Sequence, residues 1–231
     1  MYKIGYYLFS FNNTDRKKRM IERFEKENIT PVFVPDVVST DSRLIGAPQT
    51  CKRNWSIVWN HIDMLKEFLE SDNTHAIFCE DDVHIRKGLT KYIPELVAAY
   101  NRRGLEILLL GYLSTLSPVG ITNTKSFTSS DINLIYMTYE DNLWGSHMYM
   151  LDRATAEKFV SIYTVEYSRE TLVNQNLPHF SPDWTLTKNG RRALVYPMMG
   201  VEEGLVATTD MPQQEFHKAC HTRHYDSNNY W

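Results

Sequence analysis

The chain's 231 residues suffice for one well-buried domain, and 42% apolar against 23% charged residues excludes intrinsic disorder, collagen-like repeats and coiled coil. Twenty-five Lys and Arg against 28 Asp and Glu leave a net charge of −3, so no global basic field speaks for a nucleic acid partner. Aromatics at 13%, with 14 Tyr and 5 Trp, suit rings set around sugars or bases as well as rings that fill a core.

The run from Lys3 to Phe11 is rich in β-formers, and Asp15 to Lys26 follows with Met20, Ile21 and Phe24 at helical spacing. A strand therefore leads into a helix. Ile29 to Val38 reads as a second strand interrupted by Pro31 and Pro35, and the polar stretch after it as a loop. Asn54 to Glu70 carries Trp55, Val58, Trp59, Ile62, Leu65 and Leu69 at three-and-four spacing, an amphipathic helix. His75 to Cys79 is a compact apolar strand that stops abruptly in Glu80-Asp81-Asp82. Tyr92 to Arg102 reads as helix, and Leu105 to Leu110 as a strand of the kind buried in a parallel sheet. That apolar stretch is interrupted by Glu106 and is too short to span a bilayer.

Ser114 to Asp131, rich in Ser, Thr, Gly and Pro, reads as an irregular excursion. Met137 to Leu151 returns to strand, Ala154 to Tyr163 to helix, Ser181-Pro182-Asp183-Trp184 opens a short helix, and Ala193 to Pro197 is a last strand. Strands alternating with helices imply an α/β fold, and without repeat or linker one domain over 1–231 is expected, with 211–231 a polar C-terminal tail. Cys51, Cys79 and Cys220 are odd in number and widely spaced, which suits a reducing compartment rather than a disulfide framework. No apolar leader is visible in the opening residues, so a cytoplasmic location is expected, and the Asn12, Asn28 and Asn54 sequons carry no weight.

Acid at a strand end is the first functional signal. In an extended chain Glu80 and Asp82 fall on the same side, so both carboxylates can face one ion. Hard cations such as Mn²⁺ or Mg²⁺ prefer oxygen ligands and leave positions free for phosphates. The plain alternative is a solvated acidic turn. A strand's C-terminal end favours the ligand reading, because open α/β sheets bind ligands there. Other phosphate and nucleophile motifs are absent: the chain has neither GxxxxGK[ST] nor GxGxxG, and Gly145-Ser146-His147 is not a GxSxG elbow.

Taken in order, these segments resemble glycosyltransferase family 25, the lipopolysaccharide-type GT-A enzymes, and the related small glycosyltransferases of large DNA viruses. The first strand runs into Asp15-Arg16 and the basic residues to Arg19, similar to that family's Arg-rich helix start. The Trp55 to Glu70 helix holds Asn60-His61 where the family has Ser-His, and Phe78 to Asp82 resembles its strand-terminal acidic triplet, the counterpart of DxD. Trp144 to Phe159 is similar to its glycine-and-aromatic strand and Ala-rich helix. Pro182-Asp183-Trp184 stands at its Pro-x-Asp element, and Val195-Tyr196-Pro197 precedes its closing segment.

The resemblance covers most of residues 2 to 210. It implies a GT-A, Rossmann-like fold with a mixed, mostly parallel sheet flanked by helices, a nucleotide-sugar donor (UDP-sugar), a glycan acceptor and Mn²⁺ or Mg²⁺. On that reading Glu80 lies near the donor ribose or the metal, Asp82 ligates the ion, Asp81 assists, and Arg16 and Arg53, the latter placed in a loop, meet the diphosphate. His217 completes the divalent site, as a C-terminal His does in some GT-A enzymes. Inverting transfer needs a base at the acceptor hydroxyl, and Asp183 is the candidate, with a helix N-cap as its alternative role. Arg16 and Arg19 alternatively hold the first helix against an acidic loop, and His147 alternatively satisfies a buried hydrogen bond. His217, His221 and His224 share one helical face with Cys220 near, which suits a borderline metal or an idle polar tail. Two other functions compete: a metal-dependent phosphohydrolase or nucleotidyltransferase, and a non-catalytic carbohydrate-binding module.

Overall fold

The computed structural model describes residues 2–116, the backbone of 126–128, and residues 134–205 and 208–231. Strand β1 (Ile4–Leu8) leads into helix α1 (Thr14–Glu25), whose N-cap Asn13 accepts from the Arg16 amide at 3.0 Å. Strand β2 (Val32–Phe33) is shorter than the run Ile29–Val38 suggests, because Pro31 and Pro35 bracket it. After a 3₁₀ turn at Ser42–Leu44, helix α2 (Gln49–Glu70) starts directly behind Pro48, earlier than Asn54, so Arg53 sits on a helix and not in a loop. Strands β3 (His75–Cys79) and β4 (Val83–Ile85) flank the Glu80-Asp81-Asp82 turn. Helix α3 (Leu89–Arg103) and strand β5 (Ile107–Leu113) follow. The excursion over Ser114–Asp131 lies largely outside the described residues; β6 (Ser126–Thr128) falls within it.

The one strand expected over Met137–Leu151 is two, β7 (Ile135–Met137) and β8 (Trp144–Asp152). Helix α4 (Arg153–Ile162) is capped by Asp152, which accepts from the Thr155 amide, and short α5 (Val165–Glu170) comes next. A π-helical turn at Asp183–Thr187, strands β9 (Arg192–Tyr196) and β10 (Gly200–Glu202), and helix α6 (Met211–His224) complete the order.

Among the described residues, eight strands form one mixed sheet in the order β2-β1-β3-β8-β5-β9-β7-β6. Parallel pairs are β1 with β2, β1 with β3, and β5 with β9, whereas β8 and β7 run against their neighbours. A separate antiparallel pair sets β4 beside β10, with Val83 opposite Glu202. The central strands β1, β3 and β5 are largely apolar because both faces are covered. Tyr7, Phe78, Leu109 and Tyr149 face the core of α2 and α4 with Trp59, Phe68 and Phe159. Their strand neighbours Leu8, Ile77, Leu108 and Met150 face α1 and α3 with Phe24, Leu96 and Tyr100, as a two-residue period requires. This α/β architecture, a mixed sheet flanked by helices, is the one expected from the sequence.

Residues 211–231 are polar, yet they fold back onto the body. The Trp231 backbone N–H donates to Ile85 O at 2.9 Å, and its indole N–H donates to Glu27 at 2.8 Å. Lys26 and Lys87 lie over the same indole at 4.8 and 4.4 Å. Among the described residues, no helix is long and apolar enough to cross a membrane.

One irregularity aims the sheet at a site. Two steps along β5, from Gly111 to Leu113, face four along β8, from Met148 back to Trp144, so β8 bulges at 145–147. Gly145 there has φ +125°, and a Cβ on it would come within 2.9 Å of the Tyr112 Cα. Gly145→Ala is therefore expected to cost about 1–3 kcal/mol in urea unfolding, the usual cost of a side chain forced into that region. An unchanged midpoint would show that the bulge relaxes freely.

Candidate active site

A cavity of about 640 Å³ opens where the C-terminal ends of β1 and β3 meet the bulged start of β8. That volume suits a small organic ligand. Every residue that the resemblance assigns to metal, donor or acceptor lines it: Arg16, Arg53, Glu80, Asp81, Asp82, Asp183 and His217. They arrive from five separate segments, α1, α2, the β3–β4 turn, the π-helical turn and α6.

At one end Arg16 reaches across the acidic turn. Its Nη1 lies 3.1 Å from Asp81 Oδ1 and 3.2 Å from Asp82 Oδ2. Arg19 and Arg23, one and two turns further along α1, pair with Glu203 at 3.1 and 2.8 Å, and Arg23 also donates to Val83 O at 3.0 Å. Spaced at i, i+3 and i+7, the three arginines share one helical face. Arg19 thus holds the first helix against an acidic segment, while Arg16 also borders the cavity.

Asp82 is buried, and its Oδ1 has no hydrogen-bond partner. Burial, then the charges of Glu80 and Glu202, push its pKa well above the usual carboxylate range, against the pull of Arg16. Asp81 is also raised, first by burial. Glu80 behaves oppositely: burial raises it, but His61, His147 and Ser146 outweigh burial and hold it below its ordinary value. Ser146 Oγ donates to Glu80 Oε1 at 2.9 Å, and His61 Nε2 stands 3.5 Å from the same oxygen. His61 is itself fixed through Nδ1 by the Tyr149 hydroxyl at 3.1 Å.

In the middle, the Gly145 N–H donates to Asp183 Oδ1 at 2.7 Å. Asp183 opens the π-helical turn, but its carboxylate spans to β8, so the N-cap role is replaced by a tie between two walls of the cavity. The fourth side is closed by Glu202 and His217, whose Nδ1 lies 2.7 Å from Glu202 Oε2. His147 is buried beside them, and burial holds its imidazole below the ordinary pKa. The three-histidine face of α6 does not converge on one ion. His217 turns to Glu202, His221 stacks on Tyr225 at 4.8 Å, and His224 Nε2 meets Ser114 O at 2.7 Å. Among the described residues no three His, Cys, Asp or Glu side chains are grouped to cage a metal.

Glu202, Ser146 and His61 escaped the sequence reading as site residues. Glu202 carries no motif and reaches the cavity only because β10 pairs with β4.

No protein-family model matches this chain, and no curated protein matches it. Similar solved structures include a glycosyltransferase involved in glycosylation of the major capsid of PBCV-1, at 9% identity and TM-score 0.39, covering 93% of this chain and 98% of that one. A mannose-1-phosphate geranyltransferase from Thermus thermophilus matches at 10% identity and TM-score 0.39, covering 84% and 73%. A CMP:2-keto-3-deoxy-manno-octonic acid synthetase complexed with CTP matches at 10% identity and TM-score 0.36, covering 75% and 84%.

Asp183 makes the pH dependence testable. Burial raises its pKa, with the Gly145 N–H and Lys188 opposing. Its neutral form thus favours the fold: that contribution is complete below the ordinary carboxylate pKa and is lost as pH rises through the raised folded value. Asp183→Asn keeps an oxygen for the Gly145 amide. The variant should melt a few degrees above the parent at pH 7, about 2–4 °C per kcal/mol for a chain of this size, and no higher near pH 3. Calorimetry at both pH values decides it, and parallel curves would show that Asp183 ionises normally.

Proposed function

We propose that the chain transfers a sugar from a nucleoside diphosphate donor, a UDP-sugar, to a hydroxyl of a glycan acceptor, with inversion. The observation that carries this reading is the order of groups along one cavity: a cationic and acidic end at Arg16, Asp81 and Asp82, and a half-buried carboxylate, Asp183, tethered beyond it. Arg16 and Arg53 would face the anionic diphosphate, and Asp81 would hold Arg16 in place. Asp183 would take the proton of the acceptor hydroxyl as that oxygen bonds to the anomeric carbon and the bond from that carbon to the diphosphate breaks. A raised pKa suits this task, because a base works best when its pKa approaches the working pH.

The donor set also fits a hard divalent cation, Mn²⁺ or Mg²⁺. Five carboxylates (Glu80, Asp81, Asp82, Asp183 and Glu202) line the cavity against two arginines, and the Asp82 Oδ1 is buried without a partner. Such an excess disfavours an anionic ligand unless a cation is present. Glu80 and Asp82 would hold the ion, and any ligation by His217 falls to Nε2, since Nδ1 is committed to Glu202. When bound, the ion offsets the charge of the diphosphate leaving group. So few protein ligands suit a cation that keeps waters and phosphate oxygens in its shell.

Calorimetric titration of UDP with and without Mn²⁺ tests the donor end. Asp82→Asn should fold and lose at least tenfold of the metal-supported UDP affinity, about 1.4 kcal/mol. Undiminished binding would remove Asp82 from the site. Asp183→Asn should keep UDP binding and lose roughly 10²–10⁴ in transfer rate. Full transfer activity in that variant rules Asp183 out as the base, and donor cleavage at an undiminished rate without acceptor would favour a hydrolase.

A further inference from the structure

The first residue of β8, Trp144, is 41% exposed and lines the cavity, whereas Trp55 and Trp59 are 2% exposed. One face of its indole is covered. Lys188 Nζ lies 3.3 Å from the Trp144 ring centroid and 4.2 Å from that of Trp184. The lysine is 9% exposed, and its amine has no hydrogen-bond partner. Burial holds its pKa below the ordinary lysine value against the pull of Asp183 and Asp141, and the amine sits against two rings rather than in water. A cation desolvated against indole faces is a strong orienting contact, and it fixes how Trp144 stands.

The position along β8 gives the platform its meaning. Trp144 precedes Gly145, whose amide holds Asp183, and Ser146, whose hydroxyl holds Glu80. The strand therefore sets out, in sequence order, an open aromatic ring, the candidate base, and the acidic turn that Arg16 spans. Along β8, Trp144 falls on the opposite side of Gly145, which holds Asp183, from Ser146 and the acidic turn. The exposed aromatic on the Arg16 side is a different residue, Phe11, 42% exposed in the β1–α1 connection.

We propose that the open face of Trp144 seats the acceptor sugar: a pyranose ring whose C–H face stacks on the indole and whose attacking hydroxyl is thereby brought to Asp183, with Lys188 as the positioning residue behind the ring. This inference rests on the transferase reading above. The electron-rich face of an indole attracts the polarised C–H bonds on the flat side of a pyranose, and hydroxyls at the ring edge remain free to react. A nucleobase would stack as well, but the groups facing a diphosphate lie at the other end of the cavity.

The test uses the whole chain with methyl glycosides of glucose, galactose, mannose, N-acetylglucosamine, xylose and rhamnose, each with UDP and Mn²⁺ and each alone. Tryptophan emission and saturation-transfer NMR are the two readouts, and UDP binding is followed separately by thermal shift. At least one glycoside should quench emission saturably and take up saturation on the C–H protons of one ring face. Trp144→Ala should weaken that binding at least tenfold and Trp144→Phe should restore part of it. Lys188→Met should weaken it severalfold and shift the Trp144 emission, with Lys188→Arg restoring both. UDP binding with no response to any glycoside overturns the platform. So does quenching that survives Trp144→Ala, or quenching of Trp144 by UDP alone. A glycoside response without UDP binding upholds the platform and overturns the donor reading instead.

Discussion

The last rung of the β3/β8 ladder, the Glu80 N–H donating to the His147 carbonyl at 2.9 Å, ties the two halves of the cavity together. On one side of it β3 ends and the acidic turn begins; on the other β8 has just completed its bulge. Because the rung fixes where Glu80 leaves the sheet, Ser146 can reach its carboxylate, and Gly145 is left with a free amide for Asp183. A slip of one residue would exchange the two faces of β3 and displace the turn that carries Glu80 and Asp82. The paired, fully buried strand behind the rung makes that slip costly.

Charge is the second constraint. Carboxylates gather where the sheet ends, and helix α1 answers them with a face of three arginines. The compensation is uneven. Glu203 receives two arginines and sits below its ordinary pKa, while Asp82 shares one arginine with Asp81 and sits well above. The shortfall falls on the residues that border the cavity, a setting in which a perturbed group is a candidate for function.

Much of this was legible in the chain. The apolar run His75–Cys79 matches β3 because an acid triplet bounds it sharply, and the amphipathic spacing of Trp55 to Leu69 found the body of α2. The start of α2 was missed because residues 49–53 carry no apolar stripe, which put Arg53 in a loop. Strands β4 and β10 are three residues each, too short for periodicity to register, and with β10 the role of Glu202 was invisible. Helix α6 was read as tail because its surface is polar nearly all round and only Cys220 is buried; single polar contacts such as His217 to Glu202 hold it. The residues proposed for the site, which line one cavity, were picked out by local signatures: acid at a strand end, Arg at a helix start and Asp after Pro. The bulge and the Trp144–Lys188 contact arise only from long-range register.

The contrast between the two-sided core and the polar docking of α6 has a consequence for amide exchange. Strands β3, β5 and β8 sit in the centre of the sheet with apolar layers on both faces, so their amides can open only with the whole domain. Helix α6 presents Gln213, Phe216 and His217 to the cavity and has a single buried residue. Its amides open in a smaller and cheaper event. The cavity thus joins a floor whose amides should exchange only with global unfolding to a wall whose amides should exchange sooner.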